Sequence, residues 1–280
     1  MAVQISNAFV TLFDSEVKQA YQGQRLLAGV TRERVGVEGS TVKFPKIGKG
    51  SATVRVPQTD VTPLNVSYSQ VTATMEDYIA AEYSDIFNQQ KVNFNERQEL
   101  VQVVSGAIAR RMDQVVLDAL DASGTTATVS NDIGGTDSNL NIEKLRETKN
   151  LLDTNNVPME GRTILLHANS LQALLGETEV TSADFNTVRA LVTGELNTFM
   201  GFRFITFGDR DEGGLPVDGS SDRTLYAFHR DAVGLGIGMN QTSRVDYIPE
   251  KTSFLVASMF SAGSVAIDDE GIVKITCRES

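Results

Sequence analysis

The sequence predicts an α+β fold in which an extended β-hairpin arm and one long helix join two regions that contain sheets. Three observations lead to this prediction. Apolar and polar residues alternate between positions 66 and 75, which indicates strands with one buried face. Between residues 95 and 122 the apolar residues recur every three to five positions, which is typical of a helix. From residue 142 onward helical and strand patterns alternate, and strands dominate the last part of the chain.

The amino-terminal segment has apolar residues at a four-residue spacing, namely Phe9, Phe13, Val17 and Tyr21. This spacing predicts one face of an amphipathic helix. The sequence that follows it, TRERVGVEGS, is charged and polar. The helix either docks on another subunit or packs on its own domain, and the residues alone leave both possibilities open.

A basic ribbon follows in TVKFPKIGKGSATVRVP, residues 41–57. It contains Lys43, Lys46, Lys49 and Arg55 and no acidic residue, although the chain has a formal net charge of -11. The pattern predicts two strands around a Gly-Lys-Gly turn. Together with the alternating segment up to Ser84, the ribbon predicts a long hairpin-like arm.

The long helix is predicted over residues 95–122. Asn93 or Asn95 supplies an N-cap, Glu96 lies in the first turn, and Gly124 lies where the helix would end. At about 1.5 Å per residue such a helix is about 40 Å long, which exceeds the usual length of about 11–12 residues. We therefore expect it to be a spine against which other elements pack.

The remaining elements are predicted from shorter patterns. Helices are expected at residues 142–152, 168–175 and 183–191, and strands at 162–167, 202–207, 224–228, 235–239, 243–248, 253–261 and 271–277. A polar, Gly-rich loop at residues 208–222 lies between the strand at 202–207 and the strands that begin at residue 224.

Composition excludes several classes of protein. No run of about 18 apolar residues is present, so a membrane span is not expected. The first residues lack the basic and apolar regions of a secretory signal, and the lone Cys277 fits a cytosolic origin. The charge of -11 argues against nucleic acid as a ligand of the whole surface, because phosphate binding needs clustered Lys and Arg.

Two glycine motifs do not fit nucleotide binding. Around Lys49, the sequence GKGS lacks the first glycine of a phosphate-binding loop, and a strand pattern follows it. In GLGIG, residues 234–238, the third glycine comes one position early and no helix follows. Alternating glycines in a strand more often indicate close approach of another backbone or tight sheet packing.

Other candidate chemistry is equally weak. The acidic residues Asp209, Asp211, Asp218 and Asp222 lie in one loop, but Ser220 stands where a calcium loop needs its last carboxylate, and a solvated loop is favoured. IDDEG, residues 267–271, is interpreted as a turn between strands.

The histidines and the cysteine follow the same trend. His167 and His229 lack zinc-ligand spacing, and a thiol at the end of a strand is more often structural than catalytic. No catalytic, cofactor-binding or metal-binding residue is therefore predicted, and a structural or assembly protein is favoured over an enzyme. The alternative from another class is an α/β enzyme that binds a small ligand in the loop of residues 208–222.

The order of the elements resembles the major capsid proteins of tailed bacteriophages, which have the Hong Kong 97-type fold. FDSEVKQAYQGQRLLAGVTRERVGVEGSTVKFPKIGKG is similar to the amino-terminal arm and extended loop of coat proteins from short-tailed phages, and MEDYIAAEYSDIFNQQ to the returning strand. NERQELVQVVSGAIARRMDQVVLDAL, with Asp113 in its second half, resembles the spine helix. NNVPMEGRTILLHANSLQALL and GELNTFMGFRFITF resemble segments of the axial domain. The resemblance covers essentially the whole chain.

The resemblance implies a domain organisation. Residues 1–37 correspond to an N-terminal arm and residues 38–84 to the extended loop. Residues 85–123 and 223–280 correspond to a peripheral domain with the spine helix at 95–122, and residues 124–222 to an axial domain. Inter-subunit contacts are then expected from Lys43, Lys46, Lys49 and Arg55 in the loop. The arm would contribute a second set of contacts, namely Phe9, Phe13, Val17 and Tyr21.

The resemblance also implies partners and a location. Many copies would assemble in the host bacterial cytoplasm, as pentamers and hexamers, into the icosahedral shell of a virion that encloses double-stranded DNA without binding it specifically. A separate scaffolding protein, a portal and, as an optional partner, a decoration protein are expected, and a membrane is not. Self-crosslinking members of the family join a loop lysine to an asparagine of a neighbour. No partner asparagine or catalytic carboxylate can be matched here, so crosslinking is not predicted. An encapsulin-type compartment shell, which shares the fold, is the nearest alternative.

Overall fold

The computed structural model describes residues 23–61, 63–90, 95–177, 198–210 and 212–279. Within these ranges the chain forms four helices, three short 3-10 turns and twelve strands. The helices are α1 (Ile86–Gln89), α2 (Glu96–Asp121), α3 (Ile142–Thr154) and α4 (Ala168–Gly176). The strands are β1 (Arg32–Val35), β2 (Thr41–Ile47), β3 (Tyr68–Thr74), β4 (Glu76–Asp85), β5 (Thr128–Val129), β6 (Arg162–His167), β7 (Thr198–Phe199), β8 (Phe202–Phe207), β9 (Asp222–His229), β10 (Val233–Ile248), β11 (Ser253–Ala266) and β12 (Ile272–Arg278). The predicted helices at the amino terminus and at residues 183–191 lie outside the described residues.

The predicted spine helix is confirmed as α2. Glu96 and Glu99 place negative charge in its first turn, where the helix dipole favours it, and the helix ends at the C-cap Ala122. Asn95 occupies the N-cap position without a side-chain hydrogen bond to the first turn. The carboxyl-terminal half of α2 is the buried half, so the helix is fixed mainly by tertiary packing.

Helix α2 packs on a four-stranded sheet with the order β1-β10-β11-β4. Strand β1 is parallel to β10, and the other neighbours are antiparallel. On the side facing the helix, the rings of Tyr78 and Phe260 stack 4.9 Å apart, and the guanidinium of Arg111 lies 4.6 Å from the centre of the Tyr78 ring. We call this element the spine sheet.

A second, six-stranded sheet has the order β5-β12-β9-β6-β8-β7. Its central strand β6 is buried along its whole length, as a strand covered on both faces should be, and Phe202, Phe207 and Phe228 fill the core beside it. Strands β9 and β12 belong to this sheet although residues 223–280 were expected in the peripheral domain throughout. The carboxyl-terminal segment is divided between the two sheets because β12 pairs with β9 and β9 pairs with β6, a long-range arrangement that local patterns do not reveal.

The predicted hairpin arm forms from β2 and β3, which pair antiparallel from Thr41 opposite Thr74 to Ile47 opposite Tyr68. The expectation of a second strand within the ribbon itself was wrong. Residues 51–57 form no strand and are all exposed. In the described part of the chain these residues pair with no other strand, and β-propensity alone does not form a strand without a partner.

Candidate functional site in the extended loop

The base of the hairpin arm rests on glycines of the spine sheet. A Cβ atom on Gly234 would lie 2.8 Å from the Phe44 ring, and one on Gly236 would lie 2.6 Å from the Val42 side chain. A side chain on Gly263 would overlap the Thr74 carbonyl oxygen. The interpretation of GLGIG as a site of close packing is confirmed, and what approaches the glycines is the chain's own hairpin.

The contact between hairpin and glycines has a small core of its own. Val42, Phe44, Ala73 and Ile267 are buried together, and Val37, Met75 and Val265 pack at the edge of the cluster. The base of the arm is therefore fixed to the spine sheet by apolar burial. We call this contact the glycine seat.

The four basic residues of the ribbon do not share one environment. Lys46 Nζ lies 2.8 Å from Asp268 Oδ1, and Lys49 Nζ lies 2.5 Å from Glu270 Oε2. The hydrogen bond to Glu270 raises the pKa of the Lys49 ammonium above its ordinary value. Lys43 and Arg55 are exposed. The structure thus brings Lys46 and Lys49 to the IDDEG turn of the same chain and leaves the other two facing solvent.

The IDDEG turn is confirmed as a tight turn between strands, and it is rigidly held. The backbone N–H groups of Ile267 and Asp268 donate to the Ala232 carbonyl at 2.7 and 3.2 Å. Asp268 Oδ1 also accepts from the N–H of Glu270 at 3.2 Å. The Asn155 side chain donates to the Glu270 carbonyl at 2.9 Å. The two carboxylates that receive the lysines are therefore carried by a turn that is anchored to two other elements.

Beyond the glycine seat the loop exposes apolar side chains. Val54 is 93% exposed and Val61 is 88% exposed, and Ile47, Val56, Leu64 and Tyr68 are exposed as well. We call the described residues between 51 and 64 the loop tip. Single exposed apolar residues are common, but a series of them on one protruding segment is typical of an interaction site. The sequence prediction covered the basic residues of the loop but not these exposed apolar side chains. The valines of ATVRVP and the Leu of PLNV are the signal that indicates them.

The spine sheet has a second apolar surface on the side opposite α2. Successive residues of a strand point to opposite faces, and Tyr78 and Phe260 face the helix. Ile79 pairs with Met259 and Tyr83 pairs with Leu255, so all four lie on the other face. Ile79 is 66% exposed and Tyr83 is 42% exposed. We call these four residues the open face.

The buried Asp113 joins the amino-terminal segment to the spine helix. Its carboxylate accepts the backbone N–H groups of Leu26 and Leu27 at 2.9 and 3.0 Å, and Arg210 Nη1 lies 3.3 Å away. Burial raises the pKa of this carboxyl group, while the two backbone N–H groups and Arg210 act in the opposite direction. Asp113 thus fixes the point where the chain leaves the spine toward residue 23, beyond which the predicted arm residues Phe9, Phe13, Val17 and Tyr21 lie outside the described residues.

The acidic loop is occupied by internal ion pairs. Asp209 contacts Arg223 at 3.2 Å, and Asp222 pairs with Arg278, which lowers the pKa of the Asp222 carboxyl group. Asp218 accepts the backbone N–H groups of Ser220 and Asp222. In the part of the chain that the structure describes, no group of three or more His, Cys, Asp or Glu residues is arranged to hold a metal ion.

The histidines and the cysteine are structural in their surroundings. His167 is buried, with its Nε2 3.2 Å from Asp209 Oδ1 and its Nδ1 2.9 Å from Glu279 Oε1. Its side chain also accepts the backbone N–H of Asn169 at the start of α4. His229 contacts the Glu160 carbonyl at 2.8 Å. Cys277 is buried in the core. Across the described ranges, no helix is long and apolar enough to span a membrane.

Comparison of this architecture with solved structures defines its class. The chain is similar to the capsid structure of the cyanophage P-SCSP1u, with 14% identity, a TM-score of 0.76, and coverage of 98% of this chain and 94% of that one. It is also similar to the protein of Mycobacterium phage Che8, with 16% identity, a TM-score of 0.73, and coverage of 96% and 97%. The head structure of Helicobacter pylori bacteriophage KHP40 matches with 11% identity, a TM-score of 0.76, and coverage of 96% and 95%. The fold is therefore the Hong Kong 97-type fold of phage capsids.

The family follows from the sequence itself. The model of the phage capsid protein family matches residues 5–279, and the chain belongs to this family. No curated protein matches the chain. The protein is a structural component of the virion, a major capsid protein whose copies associate into the shell.

Proposed function

We propose that this capsid protein builds an icosahedral shell of pentamers and hexamers around double-stranded DNA, and that the loop tip holds neighbouring subunits together. The observation that carries the proposal is the combination of a fixed base and an exposed end. The hairpin is anchored at the glycine seat, whereas Val54 and Val61 extend away from the chain's own core.

The physical argument is one of entropy and burial. Ordering an extended segment costs about 1–2 kcal/mol per residue in backbone entropy. The described loop tip recovers little of this from its own chain, because its apolar side chains are exposed. Burial of a Val side chain contributes about 1.5–3 kcal/mol. Contact with a second copy therefore supplies what the isolated chain does not.

The open face is the proposed receiving surface on the neighbour. It is apolar at the centre, and Asp77 and Asp85 lie on the same side of β4 at its two ends. Arg55 stands between Val54 and Val56 in the loop tip. A basic residue within an apolar segment is complementary to an apolar surface between two acidic residues, and complementary charges fix the register of such contacts.

In this proposal the four predicted contact residues of the loop fall into two pairs with different surroundings. Lys43 and Arg55 are free to contact a neighbour, whereas Lys46 and Lys49 reach a neighbour only by leaving Asp268 and Glu270. The arm residues Phe9, Phe13, Val17 and Tyr21 form the second proposed contact. Residues 38–84 act as the extended loop, whose last strand β4 also forms an edge of the spine sheet. Residues 85–123 with β10 and β11 act as the peripheral domain, and the six-stranded sheet as the axial domain.

The charge of the chain suits a DNA container. A net charge of -11 disfavours tight binding of phosphate, so packaged DNA would stay mobile inside the shell. A scaffolding protein, a portal and, as an optional partner, a decoration protein complete the proposed set of partners. We propose no enzymatic activity. An encapsulin-type compartment is separated from this proposal by its contents, because it would enclose an enzyme and no DNA.

Electron microscopy of the purified protein tests the proposal. The variant Val54→Asp/Val61→Asp places two charges in the loop tip and should yield folded subunits, judged by circular dichroism, that do not form closed shells. The matched control Ser51→Asp/Thr53→Asp adds the same charges at exposed polar positions of the same loop and should still assemble. Closed shells of normal stability from the valine variant would refute the role of the loop tip.

A further inference from the structure

Two ion pairs connect the outward part of the loop to the body of the same chain. Among the described residues between 46 and 67, the side-chain hydrogen bonds and ion pairs to segments outside the β2–β3 hairpin come from Lys46 and Lys49. Their acceptors lie more than 200 residues away, with separations of 222 and 221 positions. The contact is therefore made by two distant segments of the fold and not by a local turn.

The turn that carries the two acceptor carboxylates is held by hydrogen bonds that do not involve the lysines. Asp268 is held by the N–H of Glu270, and the turn is tied to Ala232 and to Asn155 at the end of α3. Lys49 and Glu270 also line a cleft together with residues that include Asn155, His229 and Asp231. A rigid acidic turn thus meets a flexible pair of lysine side chains, each on a long aliphatic stem.

The two halves of the arm differ in strength. The base is fixed by buried apolar residues of the glycine seat, which salt does not weaken. The ion pairs are partly or largely exposed, with side-chain exposures of 38% and 38% for Lys46 and Asp268 and of 77% and 50% for Lys49 and Glu270. Exposed pairs of this kind are individually weak and are screened by salt.

From this division we infer that Lys46–Asp268 and Lys49–Glu270 form a releasable latch that sets the direction in which the loop leaves the subunit. The glycine seat is the fixed pivot. With the latch closed, the loop tip is presented in one direction; with it open, the segment beyond Ile47 swings about the seat and its lysines become available to other carboxylates. The latch is a property of the single chain and does not depend on the proposed shell.

A distance measurement in unassembled subunits tests the latch, because no neighbour is present there. Spin labels are placed at Val54→Cys in the loop tip and at Asn150→Cys on the exposed side of α3, and the distribution of label distances is recorded by pulsed electron paramagnetic resonance. The native Cys277 is buried and does not label in the folded chain. A narrow distribution is expected at low salt, and a clearly broader one at about 1 M salt, where the screening length is about 3 Å.

The variants decide whether these ion pairs are responsible. Lys49→Glu with Lys46→Gln should broaden the distribution at low salt. In the same Lys46→Gln background, the charge swap Lys49→Glu/Glu270→Lys should narrow it again, and it leaves the Asp268 cap of the turn undisturbed. Arg55→Glu is the matched control and should change nothing. A distribution that stays narrow without the lysines, or a swap that restores nothing, would overturn the inference. Failure of shell assembly in any of these variants would bear on the proposed function and not on the latch.

Discussion

Lys144 and Cys277 meet in the buried interior of the six-stranded sheet, with Nζ and Sγ 4.0 Å apart. The ammonium group is completely buried and donates at 2.7 Å to the Ser138 carbonyl and at 3.0 Å to the Thr276 carbonyl. Burial lowers the pKa of Lys144 and raises the pKa of the Cys277 thiol to about 12. One side chain thus connects α3, the preceding loop and β12, and it does so by satisfying backbone carbonyls where water is excluded.

Replacement of this lysine is the first test of that connection. Lys144→Met keeps the length and apolar stem but leaves the carbonyls of Ser138 and Thr276 without the donor. An unsatisfied buried polar group costs about 1–3 kcal/mol of stability. Removal of the buried charge of Lys144 offsets part of this loss. We expect the free energy of unfolding to fall by about 2 kcal/mol in urea titrations. The control Lys149→Met, on the same helix, should change it by less than about 0.5 kcal/mol. A variant as stable as the parent would show that the donor is dispensable.

The thiol of Cys277 provides a second test through its pKa. Because the folded thiol holds its proton up to about pH 12, iodoacetamide should not modify the native chain at pH 8, whereas the unfolded chain should react fully.

The same shift fixes the sign of a pH effect at Cys277. The folded pKa lies above the thiol's ordinary pKa of 9.0, so the stabilisation is complete below about pH 9 and is lost as the pH rises toward 12. Fast labelling of the native protein at pH 8 would contradict the burial of this thiol.

The third prediction concerns Asp113, which anchors the amino-terminal end of the described chain. In Asp113→Asn one oxygen becomes an amide nitrogen. At the Oδ2 position this nitrogen faces the Leu26 N–H and Arg210, and at the Oδ1 position it faces the N–H groups of Leu26 and Leu27. We expect a loss of about 1–3 kcal/mol and faster hydrogen exchange of these two amides. The control Asp118→Asn, one turn farther along the exposed side of α2, should leave their exchange unchanged. Unaltered protection of Leu26 and Leu27 in Asp113→Asn would count against the anchoring role.

Asp222 should contribute to the loss of stability at low pH. Its hydrogen bond with Arg278 lowers the pKa of the carboxyl group below its ordinary value of 3.8. The contribution is therefore present above about pH 4 and is lost as the pH falls through the folded pKa. Asp113, whose pKa is raised, acts with the opposite sign: burial makes stability fall as the pH rises from 3.8 to the folded pKa. Urea titrations between pH 2 and 5 should show a weaker loss of stability toward low pH in Asp222→Asn than in the parent. An unchanged acid limb would exclude this ion pair as its source.

Elements with strong local periodicity could be predicted from the sequence. The spine helix was expected at residues 95–122 and is found at Glu96–Asp121, because a 3.6-residue pattern with an acidic first turn is complete within the segment. Strand β6 was recognised for a similar reason: a short apolar run has few other solutions in a core.

Pairings between distant residues could not be predicted. Strand β2 pairs with β3 across some twenty residues of loop, so the strand expected at residues 51–57 had no partner. The acceptors of Lys46 and Lys49 lie in IDDEG, a segment that the sequence marks only as a turn. The glycines of GLGIG indicated close packing, but nothing local shows that Val42 and Phe44 are the residues that approach them.

The glycine seat leads to the last prediction. At Gly236 a methyl group would lie 2.6 Å from Val42 Cγ1 and 3.2 Å from the Met75 sulfur, so Gly236→Ala forces the hairpin away from the spine sheet. Overpacking of this kind typically costs about 1–3 kcal/mol. Gly219→Ala is the matched control, since nothing lies within 4 Å of a Cβ atom at that position. Thermal unfolding should show a lower midpoint for Gly236→Ala alone, and hydrogen exchange should increase in β2 and β3 while α2 stays protected. If the hairpin amides of Gly236→Ala remain as protected as those of the parent, the arm is not held by the seat, and its direction must then be set by the two lysine ion pairs alone.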